Sequence, residues 1–113
     1  MQFSLAVVHH RIKLRKLKND IIEEVKLRFP LGNNKAIEVI ANYQEKYDYL
    51  DSDRIIRYVI FLADGMLKSL ESNFENAKID PPDVMLWAEY ENTNDLNPKR
   101  VRDFNKPFIA NKL

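Results

Sequence analysis

The sequence predicts an all-α protein, a compact bundle of four to five helices with an irregular C-terminal tail. Glycine is scarce, at 2 of 113 residues, and a β-rich fold of this size needs more glycine for its turns. Apolar residues recur at spacings of three and four along most of the chain, which is typical of helices with one buried face. The length favours a single helical domain over residues 1–113.

The first predicted helix covers about residues 13–29. Its apolar stripe recurs with helical spacing and consists of Leu14, Leu17, Ile21, Val25 and Phe29. Asp20 followed by Glu23 has the spacing of a capping box, which indicates that the helix restarts there. Residues 29–34 include a proline and a glycine, and they predict a break.

The next two helices are predicted from a cap and from a long apolar run. Asn34 is a suitable N-cap for a second helix over about residues 35–47. A third helix, over about residues 53–63, is apolar on most of its surface, so we expect it at the centre of the bundle. Arg54 and Arg57 are one turn apart and are predicted to form its solvent-facing side.

Two further helices follow. Gly65, after Asp64, is predicted to end the third helix, because glycine is the usual residue just beyond a helix C-terminus. A fourth helix over about residues 66–78 would make an αα-hairpin with the third. Pro82 suits the first position of a fifth helix over about residues 82–91.

Residues 92–113 form a polar tail that contains two prolines, with one more helical turn predicted near residues 98–104. Trp87, shortly before the tail, is predicted to pack in the core. For Phe104 and Phe108 two roles stay open, since large aromatic side chains near a polar tail either fold back onto the core or anchor a partner.

Composition narrows the class of protein. Cysteine is absent, which excludes disulfides, thiolate metal sites and cysteine nucleophiles and suits a reducing cytoplasm. No apolar run approaches the roughly 18–20 residues that a membrane span needs. The apolar residues 3–8 precede the nearest positive charges, whereas a secretory signal carries its charges in front. We therefore expect a cytoplasmic protein that does not insert into a membrane.

The sequence does not match the familiar motifs for catalytic, cofactor-binding or metal-binding sites. Gly32 and Gly65 are too far apart for a phosphate-binding loop. His9 and His10 are adjacent, and on a helix they point about 100° apart, which does not suit a shared metal. Residues 48–53 resemble a calcium loop but lack the required glycine and the distal glutamate. We therefore expect no catalytic, cofactor or metal site, and a protein that is not an enzyme.

The net charge of +1 hides an asymmetry. Residues 1–18, a basic N-terminal segment, carry five basic and no acidic side chains, whereas residues 19–83 carry eight basic and thirteen acidic ones. The basic stretch 9–18 fits the solvated face of an amphipathic helix, and contact with nucleic acid or with a membrane surface or protein is the alternative. Nucleic-acid contact would use Arg11, Lys13, Arg15, Lys16 and Lys18. The acidic residues 48–53 fit a loop that caps the third helix, and an acidic protein-binding surface is the alternative. The candidate contacts of that surface are Glu45, Asp48, Asp51, Asp53, Asp64, Asp80 and Asp83.

Three runs of the sequence, residues 54–77, 83–90 and 100–108, resemble a group of short helical bacterial proteins. Some proteins of that style are immunity proteins for polymorphic or contact-dependent toxins. The resemblance covers about residues 50–108 and implies a cytoplasmic inhibitor that binds a toxin domain at or beside its active site. It implies no role for any single residue. The competing expectation is a small nucleic-acid-binding regulatory protein that uses the basic stretch 9–18.

Overall fold

The computed structural model of the protein describes residues 17–91, 93–94 and 96–113, so the start of the first predicted helix lies outside the described residues. Most of this part of the chain belongs to five α-helices: α1 Asn19–Arg28, α2 Asn33–Lys46, α3 Asp53–Ala63, α4 Leu67–Ile79 and α5 Pro81–Glu89. The remaining elements are two 3-10 helices and two short strands: Asp48–Leu50, Phe108–Ala110, β1 Tyr90–Glu91 and β2 Lys99–Arg100. The predicted all-α bundle with an irregular tail is confirmed.

Helix α3 lies at the centre of the bundle and packs against α1, α4 and α5. Ile56, Val59 and Ile60 are fully buried, and burial of each such side chain contributes roughly 1.5–3 kcal/mol. The other elements complete the core with Ile21, Val25, Phe29, Ala36, Val39, Ile40, Leu50, Leu70, Phe74, Ala77, Val84 and Ala88. The prediction that residues 53–63 form the central helix is confirmed.

Two helices begin with a side-chain cap. The Ser52 hydroxyl accepts a hydrogen bond from the backbone N–H of Ile55 at 3.1 Å, which satisfies a donor that the first turn of α3 leaves unpaired. The Asp80 carboxylate accepts from the backbone N–H of Asp83 at 3.3 Å and caps α5. Because the cap is Asp80, α5 begins at Pro81, one residue before its predicted start.

Two predicted caps are wrong. The carboxylate of Asp20 does not cap α1, whose N-cap residue is Lys18, because it is bound instead by the guanidinium of Arg57. Asn34 lies inside the first turn of α2, and the N-cap is Gly32. In both places a short polar side chain has helical backbone geometry instead of the extended geometry of a cap.

The turn between α3 and α4 requires glycine. Asp64 and Gly65 both have left-handed backbone geometry, with φ of 49° and 82°. A Cβ atom at Gly65 would lie 2.6 Å from the carbonyl oxygen of Arg28, so any other side chain would collide with the end of α1. The turn reverses the chain, and α4 then packs against α3 as the second helix of the predicted hairpin.

The segment after α5 folds back onto the bundle. Strands β1 and β2 pair antiparallel, and an isolated bridge joins Arg102 to Lys112. The helical turn predicted near residues 98–104 is wrong, because this stretch is extended and the backbone N–H of Arg102 donates to the carbonyl of Glu89 at 3.2 Å. Phe104 is fully buried, so this segment contributes to the core.

Candidate functional site

Arg57 is buried, and the prediction that it faces solvent is wrong. Its side chain is only 5% exposed and donates to both carboxylate oxygens of Asp20 at 2.9 and 3.0 Å. It also donates to the carbonyl oxygens of Phe104 and Asn105 at 3.2 and 3.3 Å. The same Asp20 carboxylate accepts the backbone N–H of Phe108 at 3.2 Å. Arg57 therefore joins α1, α3 and the C-terminal segment.

Glu89 forms a second buried charge cluster. Its side chain is fully buried and accepts two hydrogen bonds from Arg54, at 2.7 and 3.1 Å. Arg100 donates to it at 3.0 and 3.2 Å, and the backbone N–H of Phe104 donates at 2.8 Å. Arg54, predicted to face solvent, is thus directed toward the interior of the protein. Arg100 also pairs with Asp103 at 3.0 Å.

The surroundings of Asp20 and Glu89 favour their charged forms. Burial by itself raises the pKa of Asp20, but hydrogen bonds from Arg57 and from the Phe108 backbone outweigh it, and the pKa is lowered. Burial also raises the pKa of Glu89, and the donors Arg54 and Phe104, together with the charge of Arg54, lower it overall. Both clusters therefore hold a charged carboxylate between separate elements of the fold.

Most of the predicted acidic residues meet at one end of the bundle. The C-terminal ends of α2 and α4 and the N-terminal ends of α3 and α5 all lie there. The hydroxyl of Tyr49 donates to the carbonyl of Lys78 at 3.2 Å, and that of Tyr58 to the carbonyl of Pro81 at 3.2 Å. The predicted residues at this end are Glu45, Asp48, Asp51, Asp53, Asp80 and Asp83.

These acidic side chains differ in exposure. Asp48, Asp80 and Asp83 are exposed, whereas Glu45, Asp51 and Asp53 are half-buried and take part in contacts within the fold. Asp51, for example, accepts a hydrogen bond from Gln44 at 2.9 Å. Asp64 is exposed too, but it lies in the α3–α4 turn at the opposite end, 3.7 Å from Arg28. Of the predicted residues at this end, the exposed ones are therefore Asp48, Asp80 and Asp83.

Exposed apolar and aromatic side chains lie beside these carboxylates. Trp87 is 48% exposed, so the prediction that it packs in the core is wrong. It follows Asp83 by four residues, which puts both on one face of α5, one turn apart. Tyr49 and Ile79, 51% and 79% exposed, flank the start of α5. We call this region the acidic-aromatic surface: Asp48, Tyr49, Ile79, Asp80, Asp83 and Trp87.

Phe104 and Phe108 have different positions. Phe104 is fully buried, with its ring 5.4 Å from that of Phe61, so a surface contact with a partner through Phe104 is excluded in this fold. Phe108 is half-buried and packs edge-on against Phe104, with ring centroids 5.8 Å apart. The fully exposed Ile109 follows it. Of these two aromatic side chains, only Phe108 has a solvent-accessible part that a partner could contact.

The basic stretch is mostly outside the described residues. Arg11, Lys13, Arg15 and Lys16 lie there, as do His9 and His10, and Lys18 is exposed just before α1. Among the described residues no group of three potential metal ligands comes together. Nor does that part of the chain contain a helix long and apolar enough to cross a membrane.

The surface formed by residues 17–91 contains clefts between neighbouring helices. A cleft of about 370 Å³ between α1 and α2 is largely apolar and is lined by Leu17, Ile22, Val25, Lys26, Asn33, Asn34 and Ile37. A more polar cleft of about 190 Å³ between α2 and α4 is lined by Val39, Asn42, Tyr43, Lys46, Tyr47, Glu71 and Glu75. Tyr47 contacts Tyr49, with ring centroids 6.0 Å apart, so the second cleft adjoins the acidic-aromatic surface.

Comparison of the chain with protein-family models, with curated proteins and with solved structures found no match.

Proposed function

We propose that the protein is a non-catalytic, protein-binding inhibitor that neutralises a toxin domain by direct complex formation, in the manner of an immunity or antitoxin protein. The acidic-aromatic surface carries this proposal. Trp87 and Tyr49 are large and exposed, and such aromatic side chains supply much of the binding energy at protein interfaces. The exposed carboxylates of Asp48, Asp80 and Asp83 would surround them.

The charge of this surface supports a basic partner. Residues 19–83 carry thirteen acidic and eight basic side chains. Three exposed aspartates lie at one end of the bundle, where Lys46 and Lys78 offset part of their charge. A toxin that cleaves nucleic acid needs a cationic groove for its substrate, and such a groove is complementary to this surface. An inhibitor of such a toxin would act in the cytoplasm, where the protein would meet it before the toxin reached its substrate.

Capture of the product of the neighbouring gene, followed by titration calorimetry, tests the proposal. We expect a one-to-one complex, weakened at least about 30-fold by Trp87→Ala, as for a central aromatic contact. Asp83→Asn should slow association and reduce its dependence on salt. Asp64→Asn is the matched control, since Asp64 is an exposed aspartate at the opposite end. No complex, or equal effects of Asp83→Asn and Asp64→Asn, would contradict the proposal.

A second candidate function is nucleic-acid binding through the basic stretch 9–18, which the charge of +5 over residues 1–18 favours. Affinity for RNA or DNA should then fall steeply with salt concentration. Replacement of four cations by alanine should flatten that dependence: Lys13, Arg15, Lys16 and Lys18. Unchanged affinity in the fourfold variant would exclude this function.

A further inference from the structure

The polar cleft between α2 and α4 has an aromatic wall on the α2 side. Tyr43 stacks on the buried Phe74 with ring centroids 4.6 Å apart, and Tyr47 stacks on Tyr43 at 6.0 Å. Tyr43 donates a hydrogen bond to Glu75, and burial together with that carboxylate raises the pKa of Tyr43 to about 12. The tyrosine thus stays a neutral donor near neutral pH, and Glu75 stays an acceptor.

The ammonium group of Lys78 already contacts Glu75 and Tyr47 in this part of the protein. The ammonium of Lys78 lies 2.9 Å from the Glu75 carboxylate and 3.4 Å from the hydroxyl of Tyr47. The same ammonium lies 5.1 Å from the centre of the Tyr47 ring, within the range of a cation–π contact. A carboxylate and an aromatic ring face are the two groups that recognise organic cations, and here they converge on one point.

A second carboxylate in the cleft has no partner among the described residues. Glu71 lines the cleft one helical turn before Glu75, is exposed, and forms no hydrogen bond or ion pair within the described part of the chain. The positive charges of Lys46 and Lys78 offset the negative charges of Glu71 and Glu75. A bound cation would therefore compete with these two lysines for the glutamates. The volume of about 190 Å³ is below the roughly 300–1,000 Å³ of small-molecule pockets and suits one side chain.

We propose that this cleft is a binding site for a single guanidinium group, supplied by an arginine side chain of a protein partner. The guanidinium stacks on Tyr47 and forms an ion pair with Glu71, displacing Lys78 from the ring. A planar guanidinium fits this site better than an ammonium because it stacks on an aromatic face and donates two parallel hydrogen bonds to a carboxylate. That this arginine belongs to a protein partner rests on the proposed function. The cleft adjoins the acidic-aromatic surface, which is the proposed protein-binding surface.

Titration with N-acetyl-arginine amide, followed by amide chemical shifts of the labelled protein, tests the site without a partner. We expect saturable shifts at Tyr43, Tyr47 and Glu71, with affinity in roughly the millimolar range. N-acetyl-citrulline amide, which is neutral and nearly the same shape, should cause none. Glu71→Gln should weaken binding about two- to fivefold, as expected for an exposed ion pair.

Lys78→Met sharpens the test because it should strengthen binding of the arginine amide about two- to fivefold by freeing the ring and Glu75. Lys35→Met is the matched control, since Lys35 forms a similar ion pair with Glu38 in the first turns of α2 and should leave the affinity unchanged. Equal shifts with the citrulline amide, or no saturable shift in the cleft, would overturn the site. Failure to find a protein partner is a separate result, and it would leave the titration unaffected.

Discussion

Glu89 is fully buried and joins three separate parts of the chain, since Arg54 of α3, Arg100 of β2 and the backbone of Phe104 all donate to it. A buried carboxylate is stable only when its oxygens are paired, because removing a charge from water costs several kcal/mol. The cluster therefore adds little net stability over an apolar alternative, but it strongly penalises structures in which the C-terminal segment is misplaced.

Glu89→Ala should destabilise the protein by about 3–5 kcal/mol, because it leaves the guanidinium groups of Arg54 and Arg100 partly buried without a counter-charge. Urea unfolding followed by circular dichroism measures the change. Glu38→Ala is the control, since that glutamate forms an exposed ion pair with Lys35 and its loss should be nearly neutral. Similar losses in the two variants would mean that Glu89 does not hold the fold together.

At the scale of single elements, α3 shows how local signals determine a helix. Ser52→Ala removes its N-cap hydrogen bond and should cost about 1 kcal/mol of unfolding free energy. Ser72→Ala, an exposed substitution inside α4, should be neutral or slightly stabilising, because alanine has the higher helix propensity. Equal effects of the two substitutions in urea unfolding would indicate that the cap at Ser52 is not formed in solution.

The C-terminal segment is predicted to be essential to the fold. Phe104→Ala should destabilise the protein by about 3–5 kcal/mol, since the ring is fully buried against Phe61 and Phe108. Ile109→Ala should have little effect, because Ile109 is 95% exposed. Thermal unfolding of both variants distinguishes a packed segment from a loose tail, and a small loss for Phe104→Ala would contradict its place in the core.

Helix positions could be predicted from the sequence where the signal is local. The bounds of α3 follow from the cap at Ser52 and the turn at Gly65, and both signals lie within a few residues of the helix. The exposure of Trp87 follows from its helical phase, since it lies one turn after the exposed Asp83 on the same face of α5. The size of a tryptophan side chain predicts burial, and here that prediction is wrong.

The candidate sites depended on contacts that one sequence does not reveal. The helical position of Arg57 fits a solvent-exposed side chain as well as a buried one. Its partner Asp20 lies 37 residues away in the sequence. The cleft likewise exists only because α2 packs against α4 and brings Tyr43 to Glu75, 32 residues apart. The periodicity of apolar residues predicts which face of a helix is buried, but not which side chain of a neighbouring element lies against it.

On the scale of the whole molecule, four carboxyl groups of the described residues make stability depend on pH. The pKa values of Asp20 and Glu89 are lowered in the folded protein by the donors described above. Hydrogen bonds from Tyr43 and Lys78 lower the pKa of Glu75, and the Asn105 backbone N–H lowers that of Asp103. The folded state therefore holds fewer protons than the unfolded state at moderately acidic pH. Their contribution is fully present above the ordinary carboxyl pKa values and is lost as the pH falls through the lowered ones.

We therefore expect the urea midpoint to be steady near neutral pH and to fall progressively below about pH 5. Asp20→Asn should lower stability at neutral pH and make the acid dependence shallower, because one of the titrating groups is gone. Ser72→Ala, which removes no ionisable group, should retain the full dependence of the unsubstituted protein. A midpoint that rises on acidification would mean that the pKa values are not lowered by folding.

The hydrogen bond from the Phe108 backbone to Asp20 spans 88 residues of sequence, and it bears on the rates of folding and unfolding. Contacts within the α3–α4 hairpin close over short loops, whereas this one is reached only after the helices between its two ends have assembled. We expect it to be unformed in the folding transition state. Weakening it should then speed unfolding and leave folding almost unchanged, so Asp20 governs the lifetime of the native state.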